Sequence, residues 1–153
     1  MLKHPEELGF TLGLVVRIDE PASIVERTAQ ASHVCDVVYV ALPKESGRPL
    51  KKGDALKVGL SGKTLLDRWK GIVGIFKSEK RPNEMEDRRK WLEAARGKDV
   101  CVWMRAAGQT EISYAKGLAG SKFSTRGAEE EFLDQYYEPR LGKQLNRTHG
   151  KPS

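Results

Sequence analysis

Residues 35–69 read CDVVYVALPKESGRPLKKGDALKVGLSGKTLLDRW. Two apolar runs, 37–42 and 55–60, flank a polar loop rich in Gly, Lys and Pro. The first run is continuous and holds β-branched and aromatic residues, which predicts a mostly buried strand. Pro43 ends it, and 44–53 is loop by composition. The second run predicts another strand. Their connection is Gly-containing and carries no helical pattern, so antiparallel pairing is expected rather than a parallel crossover. Ser61-Gly-Lys-Thr64 reads as the turn into a helix, with Ser61 or Thr64 as its cap. Leu65, Leu66, Trp69, Ile72 and Val73 then recur at helical spacing. This order brings Tyr39, Lys57 and Arg68 onto one surface.

Upstream, 10–18 (FTLGLVVRI) predicts a strand with Gly13 as a weak point. Pro21 followed by 23–31 predicts a short helix, because Pro is tolerated in a first turn. This acidic unit, 1–34, reads as a strand-helix addition to a core at 35–146. Downstream, 82–96 predicts a helix: Pro near its start, acids early, bases late, and Gly97 after it. VCVWM at 100–104 predicts a third core strand. Residues 107–125 are Gly- and Ser-rich and read as a long loop. A last helix is expected at 128–137, stopped by Pro139, and 147–153 reads as a basic flexible tail. The expected fold is α+β, with a small three-stranded, mainly antiparallel sheet flanked by helices.

The 153 residues suit one domain with a real core. No apolar run approaches the ~20 residues of a membrane span, and the N-terminus is not of signal-peptide type. A cytoplasmic protein is expected. Cys35 and Cys101 do not make a disulfide framework, and their apolar settings predict buried free thiols. The net charge of +6 is unevenly spread: 44–98 holds sixteen basic and eight acidic side chains, whereas 1–43 holds three and six. A basic middle third suits a polyanion, and equally a solvated face. Its lysines Lys51, Lys52, Lys63 and Lys70 are the candidate nucleic-acid contacts. His4, His33 and His149 are scattered and form no metal motif with the cysteines.

The stretch at 59–64 looks at first like a phosphate-binding loop, G-x4-G-K-[ST]. The required first glycine falls at Lys57, so the loop is too short to cradle a triphosphate. A second pattern is broader. Val37-Val-Tyr39, then Lys57-Val-Gly59, then Leu65-x-x-Arg68-Trp69 resembles the GIY-YIG nuclease family. Glu129-Glu130-Glu131 on the last helix, Pro139 and Asn146 fill the places of that family's glutamate, proline and asparagine. The resemblance covers 36–146 and includes the element order. The chain departs from it in five places, the first being a long loop between the two signatures. Lys57 stands where a tyrosine is usual, as in restriction-type members. Ile72 replaces a histidine, the turn before Arg68 is one residue longer, and Asn146 lies further from Pro139.

The resemblance implies a DNA endonuclease using Mg²⁺ or Mn²⁺, with Tyr39, Lys57, Arg68, a glutamate and Asn146 as site residues. The residue types suit that chemistry. Arg68 offers a planar, permanently charged fork to phosphoryl oxygens. A carboxylate can hold one hard cation. Tyr39 could take a proton from water if Lys57 and Arg68 lower its pKa from about 10, or Lys57 could orient the water. Between the glutamates, the apolar stripe of Phe132, Leu133 and Tyr136 favours Glu129, while counting back from Pro139 favours Glu130; the stripe is taken first. DNA is the expected partner, and a homodimer stays open because double-strand breaks need two cuts. The competing readings are a nucleic-acid-binding module of the same fold without cleavage, and a nuclease acting on RNA.

Overall fold

A computed structural model describes residues 2–19, 21–46, 48–76, 82–107 and 126–142. After a 3-10 turn at Pro5–Leu8 come β1 (Thr11–Arg17), β2 (Ser23–Arg27), α1 (Ala29–His33), β3 (Cys35–Pro43) and β4 (Lys57–Thr64). They are followed by α2 (Leu65–Gly74), α3 (Pro82–Ala95), β5 (Asp99–Ala106) and α4 (Arg126–Tyr137). The class is α+β, as expected. The sheet is not three-stranded. It has five strands in the order β2-β1-β5-β3-β4, and every neighbouring pair is antiparallel.

The three expected strands do form its β5-β3-β4 part. The correction comes from the N-terminus. β1 takes the second edge of β5, with Leu14 opposite Val102 and Val16 opposite Val100. Residues 23–27, expected as helix, form β2 on the outside of β1. Ile24 and Val25 are β-branched, and an open strand edge beside them outweighs the helix-start signal of Pro21. The helix begins only at Ala29, where Thr28 Oγ1 accepts from the Ala31 amide. Gly13 sits at a register shift between β1 and β5. A Cβ there would come within 2.6 Å of Leu65 Cδ2 and 2.8 Å of Met104 Sδ, so its absence lets α2 close on the sheet.

Ser61-Gly-Lys-Thr64, expected as a turn, instead prolongs β4 until Thr64 faces Cys35. A ladder already running from Lys57 satisfies those backbone groups better than a turn would. Thr64 still caps α2, its Oγ1 accepting from the Asp67 amide at 3.2 Å. The extended backbone at 59–64 also removes any phosphate-cradling loop there. α3 ends at Ala95, and Arg96 and Gly97 both take positive φ. Cys101 is buried as expected, but Cys35 is exposed because it lies at the strand's open end.

β3 has neighbours on both sides and divides the interior in two. Val37, Tyr39 and Ala41 point to a cluster with Leu65, Trp69 and Trp91 from α2 and α3. Val38, Val40 and Leu42 point to a second cluster with Leu8, Phe10, Leu133 and Tyr137. That is why the 37–42 run is continuously apolar: both faces are covered. On the first face Trp69 meets Tyr39 edge-on at 5.7 Å and Trp91 at 5.4 Å. Such pairs add about 0.5–1.5 kcal/mol each beyond area burial. The N-terminal segment lines the second face and is bridged to the loop before β4 by Leu2 and Leu50. No helix among the described residues is long and apolar enough to cross a membrane.

Candidate active site

Tyr39 and Lys57 are set by one strand pair. In the β3–β4 register Tyr39 faces Gly59 and Ala41 faces Lys57. Facing residues share a side of the sheet, so both side chains lie on the α2–α3 side. A Cβ on Gly59 would collide with Tyr39 Oη and Cζ. The phenol therefore crosses the strand over Gly59, and the tyrosine and glycine of the two signatures form one packing unit. Tyr39 is fully buried and Lys57 is 2% exposed. Neither Tyr39 Oη nor Lys57 Nζ has a hydrogen-bond partner among the described residues.

Arg68 reaches the same place from α2. Thr64 starts that helix and Trp69 locks its inner face, which leaves Arg68 half-buried beside the strands. Its charge acts on both Tyr39 and Lys57. It stands close enough to favour the Tyr39 phenolate, although Tyr39 Oη closes no hydrogen bond of good geometry. The carboxylate that acts on both groups is Glu130. β4 is the sheet's edge strand, and α4 packs chiefly against it. From there the charge of Glu130 is felt at both Tyr39 and Lys57.

Glu129, taken first from the stripe, has a buried partner away from Tyr39 and Lys57. It is fully buried and pairs with Arg105 on β5, with Oε2 3.8 Å from Nε. Arg105 also donates from Nη1 to the Leu8 carbonyl at 3.0 Å and lies over the Phe10 ring. The reason is a small rotation of the helix. Its fully buried apolar residues are Leu133 and Tyr137, while Phe132 and Tyr136 are only partly buried. Taking Phe132, Leu133 and Tyr136 as the stripe put the inner face one position off. The count from Pro139 selects Glu130, whose charge acts on Tyr39 and Lys57.

Burial and charge tune the cluster. Burial raises the Tyr39 pKa, and the Arg68 charge opposes this without overcoming it; Glu130 adds to the rise. The expectation of a lowered tyrosine pKa is corrected accordingly. Burial, followed by Arg68, lowers Lys57 to about 7, against the raising influence of Glu130, Asp87 and Asp134. The two aspartates were not expected at the site. Asp134 lies one helical turn after Glu130, a spacing that could have flagged it. Asp87 on α3 had no signal in the sequence.

The four candidate lysines do not gather. Lys51 and Lys52 precede β4, and Lys52 Nζ pairs with Glu138 at 2.7 Å. Lys63 is exposed at the far end of β4, roughly 20 Å along an eight-residue strand. Lys70 lines a cleft between α2 and β2. Asn146, the loop after Ala107 and the basic tail lie outside the described residues.

Among the described residues no three His, Cys, Asp or Glu side chains converge as a metal group. A cation here would rest on Glu130, with water completing an oxygen shell. That donor suits a hard divalent ion. No family model matches this chain, and no curated protein or solved structure matches it either.

Proposed function

We propose that this chain is a divalent-metal-dependent DNA endonuclease of GIY-YIG type with a single active site. The observation that carries the reading is the convergence of Tyr39, Lys57, Arg68 and Glu130 from four elements, with two buried polar atoms unpaired. An unsatisfied buried group costs about 1–3 kcal/mol. Folding alone gives no reason to keep two of them side by side, and strongly perturbed groups concentrate at functional sites.

The residues divide the work as follows. Arg68 binds the scissile phosphate and offsets the charge that grows on its oxygens. Lys57, its pKa lowered by burial to about 7, takes the proton of the attacking water in its unprotonated form. Tyr39 keeps its proton and, fully enclosed over Gly59, supports the cluster by packing rather than by touching the phosphate. Glu130 holds Mg²⁺ or Mn²⁺, and the cation's chemistry when bound is to stabilise the leaving oxygen. Water adds to phosphorus, the ester P–O bond breaks, and the leaving oxygen is protonated from solvent.

One observation favours the competing binding module. Tyr39 is fully enclosed and Lys57 nearly so, which keeps both away from a phosphate bound at the surface. Incubation with supercoiled plasmid and Mg²⁺ separates the two. Nicking that is lost with EDTA and in Glu130→Gln supports the enzyme. Tight plasmid binding by a wild-type protein that never nicks hands the case to the binding module. A parallel incubation with structured RNA tests the RNA-directed reading.

A further inference from the structure

A second cleft of about 590 Å³ runs between the C-terminal half of α3 and residues 139–142. Lys90, Arg96 and Arg140 line it, with Leu141 among the lining residues. None of the three cations takes part in an ion pair among the described residues. The one acid on its wall, Glu93, is held by Arg89 Nη1 at 2.6 Å. The cleft therefore presents three positive charges against Glu93, which Arg89 holds, with Glu86 near enough to feel Lys90.

It is also joined to the active site by backbone. The Arg140 amide donates to the Ala55 carbonyl at 2.9 Å, and the Leu141 amide to the Leu56 carbonyl at 2.8 Å. Those carbonyls immediately precede Lys57. On the opposite wall Lys90 lies one turn after Asp87, whose charge reaches Lys57. Both walls thus lead to the Lys57 end of the cluster. A polyanion lying in the cleft would run toward the Lys57 end of the cluster.

We infer that this cleft seats the phosphate backbone of the nucleic-acid strand being cut, with Lys90, Arg96 and Arg140 as its phosphate contacts. The inference rests on the nuclease reading for the nature of the polyanion. It replaces the scattered Lys51, Lys52, Lys63 and Lys70 as the main contacts. Each phosphate contact contributes about 0.9 to the slope of log affinity against log salt on duplex DNA.

The test is fluorescence anisotropy of the full chain on a labelled duplex without metal, across a salt series. The Lys90→Ala, Arg96→Ala, Arg140→Ala variant is compared with Arg17→Ala, Arg27→Ala, Lys44→Ala, which removes equal charge elsewhere. The cleft variant is expected to weaken binding at least about tenfold and to flatten the salt slope by about 2 to 3. The control variant should lose far less. Equal losses in the two variants overturn the inference, because total charge then explains binding. So does wild-type affinity in the cleft variant, and if the wild type still nicks plasmid, the nuclease reading survives. A wild type that binds no duplex overturns both. If the triple variant misfolds by circular dichroism, the exposed single substitution Arg96→Gln must still flatten the slope by about 1, and an unchanged slope overturns the inference.

Discussion

The two faces of the sheet bury polar groups equally deeply and treat them differently. On the α4 face, Tyr137 Oη donates to the Lys3 carbonyl at 2.7 Å. There Glu129 meets Arg105, and His4 Nδ1 accepts from the Glu6 amide. On the α2–α3 face, Tyr39 Oη, Lys57 Nζ and Trp69 Nε1 have no hydrogen-bond partner among the described residues, whereas on the α4 face the same holds of Arg105 Nε, which keeps only its ion pair with Glu129. A native interior usually pairs its buried polar atoms. The α4 face pairs more of its buried polar atoms, and the proposed site lies on the face that pairs fewer. The adjacent glutamates divide the same way: Glu129 serves the better-paired face, and Glu130 the other.

The largest expected effect breaks this contrast at the glutamates. Glu129→Gln leaves Arg105 buried without its charge partner and should lower stability by about 3–5 kcal/mol in urea titrations. Nicking per folded molecule should persist. Glu130→Gln should remove Mg²⁺-dependent nicking with a much smaller loss of stability. The reverse outcome would return the metal to Glu129 and undo the assignment.

Lys57→Met should abolish nicking while raising the unfolding free energy by about 1–3 kcal/mol, since an unpaired buried polar group becomes apolar. A destabilised variant would mean that Lys57 has a partner the face does not otherwise reveal. The same residue predicts a pH dependence. Its folded pKa, about 7, lies below the unfolded value. Between them the unfolded chain binds more protons, so this group makes stability climb as pH rises from about 7 toward the ordinary lysine range near 10.4. Below about 7 its destabilisation is fully present. Nicking should rise through pH 7 as the amine loses its proton. A rate flat from pH 6 to 8 would sink Lys57 as the base.

The smallest effect compares two tyrosines. Tyr137→Phe deletes a satisfied hydrogen bond and should cost about 1 kcal/mol. Tyr39→Phe deletes an unpaired hydroxyl and should leave stability unchanged or slightly raised. Equal losses of stability would erase the difference between the faces.

Much of this was legible along the chain. The continuous run at 37–42, the antiparallel pairing of β3 with β4, the Thr64 cap and the helix stop before Pro139 follow from local chemistry. So does the failure of 59–64 as a phosphate loop. Tyr39, Lys57 and Arg68 were readable together because strand pairing and the following helix place them within one continuous stretch. The misreadings share a cause. Residues 23–27 became a strand because β1 offered an edge, and 61–64 stayed in the sheet because Cys35 lay opposite Thr64. Both outcomes depend on a partner elsewhere in the chain.

The sequence by itself determined the apolar periods, the caps and the reactive residue types of 35–69, because these depend on neighbours within a few positions. Tertiary structure alone decided the five-strand width, the inward face of α4 and the lowered pKa of Lys57. Each depends on what packs against an element from a distance. A one-position turn of α4 set Glu129 against Arg105 and brought only the charge of Glu130 to bear on Lys57, and burial under α2 and α3 outweighed the charge of Arg68 at Tyr39.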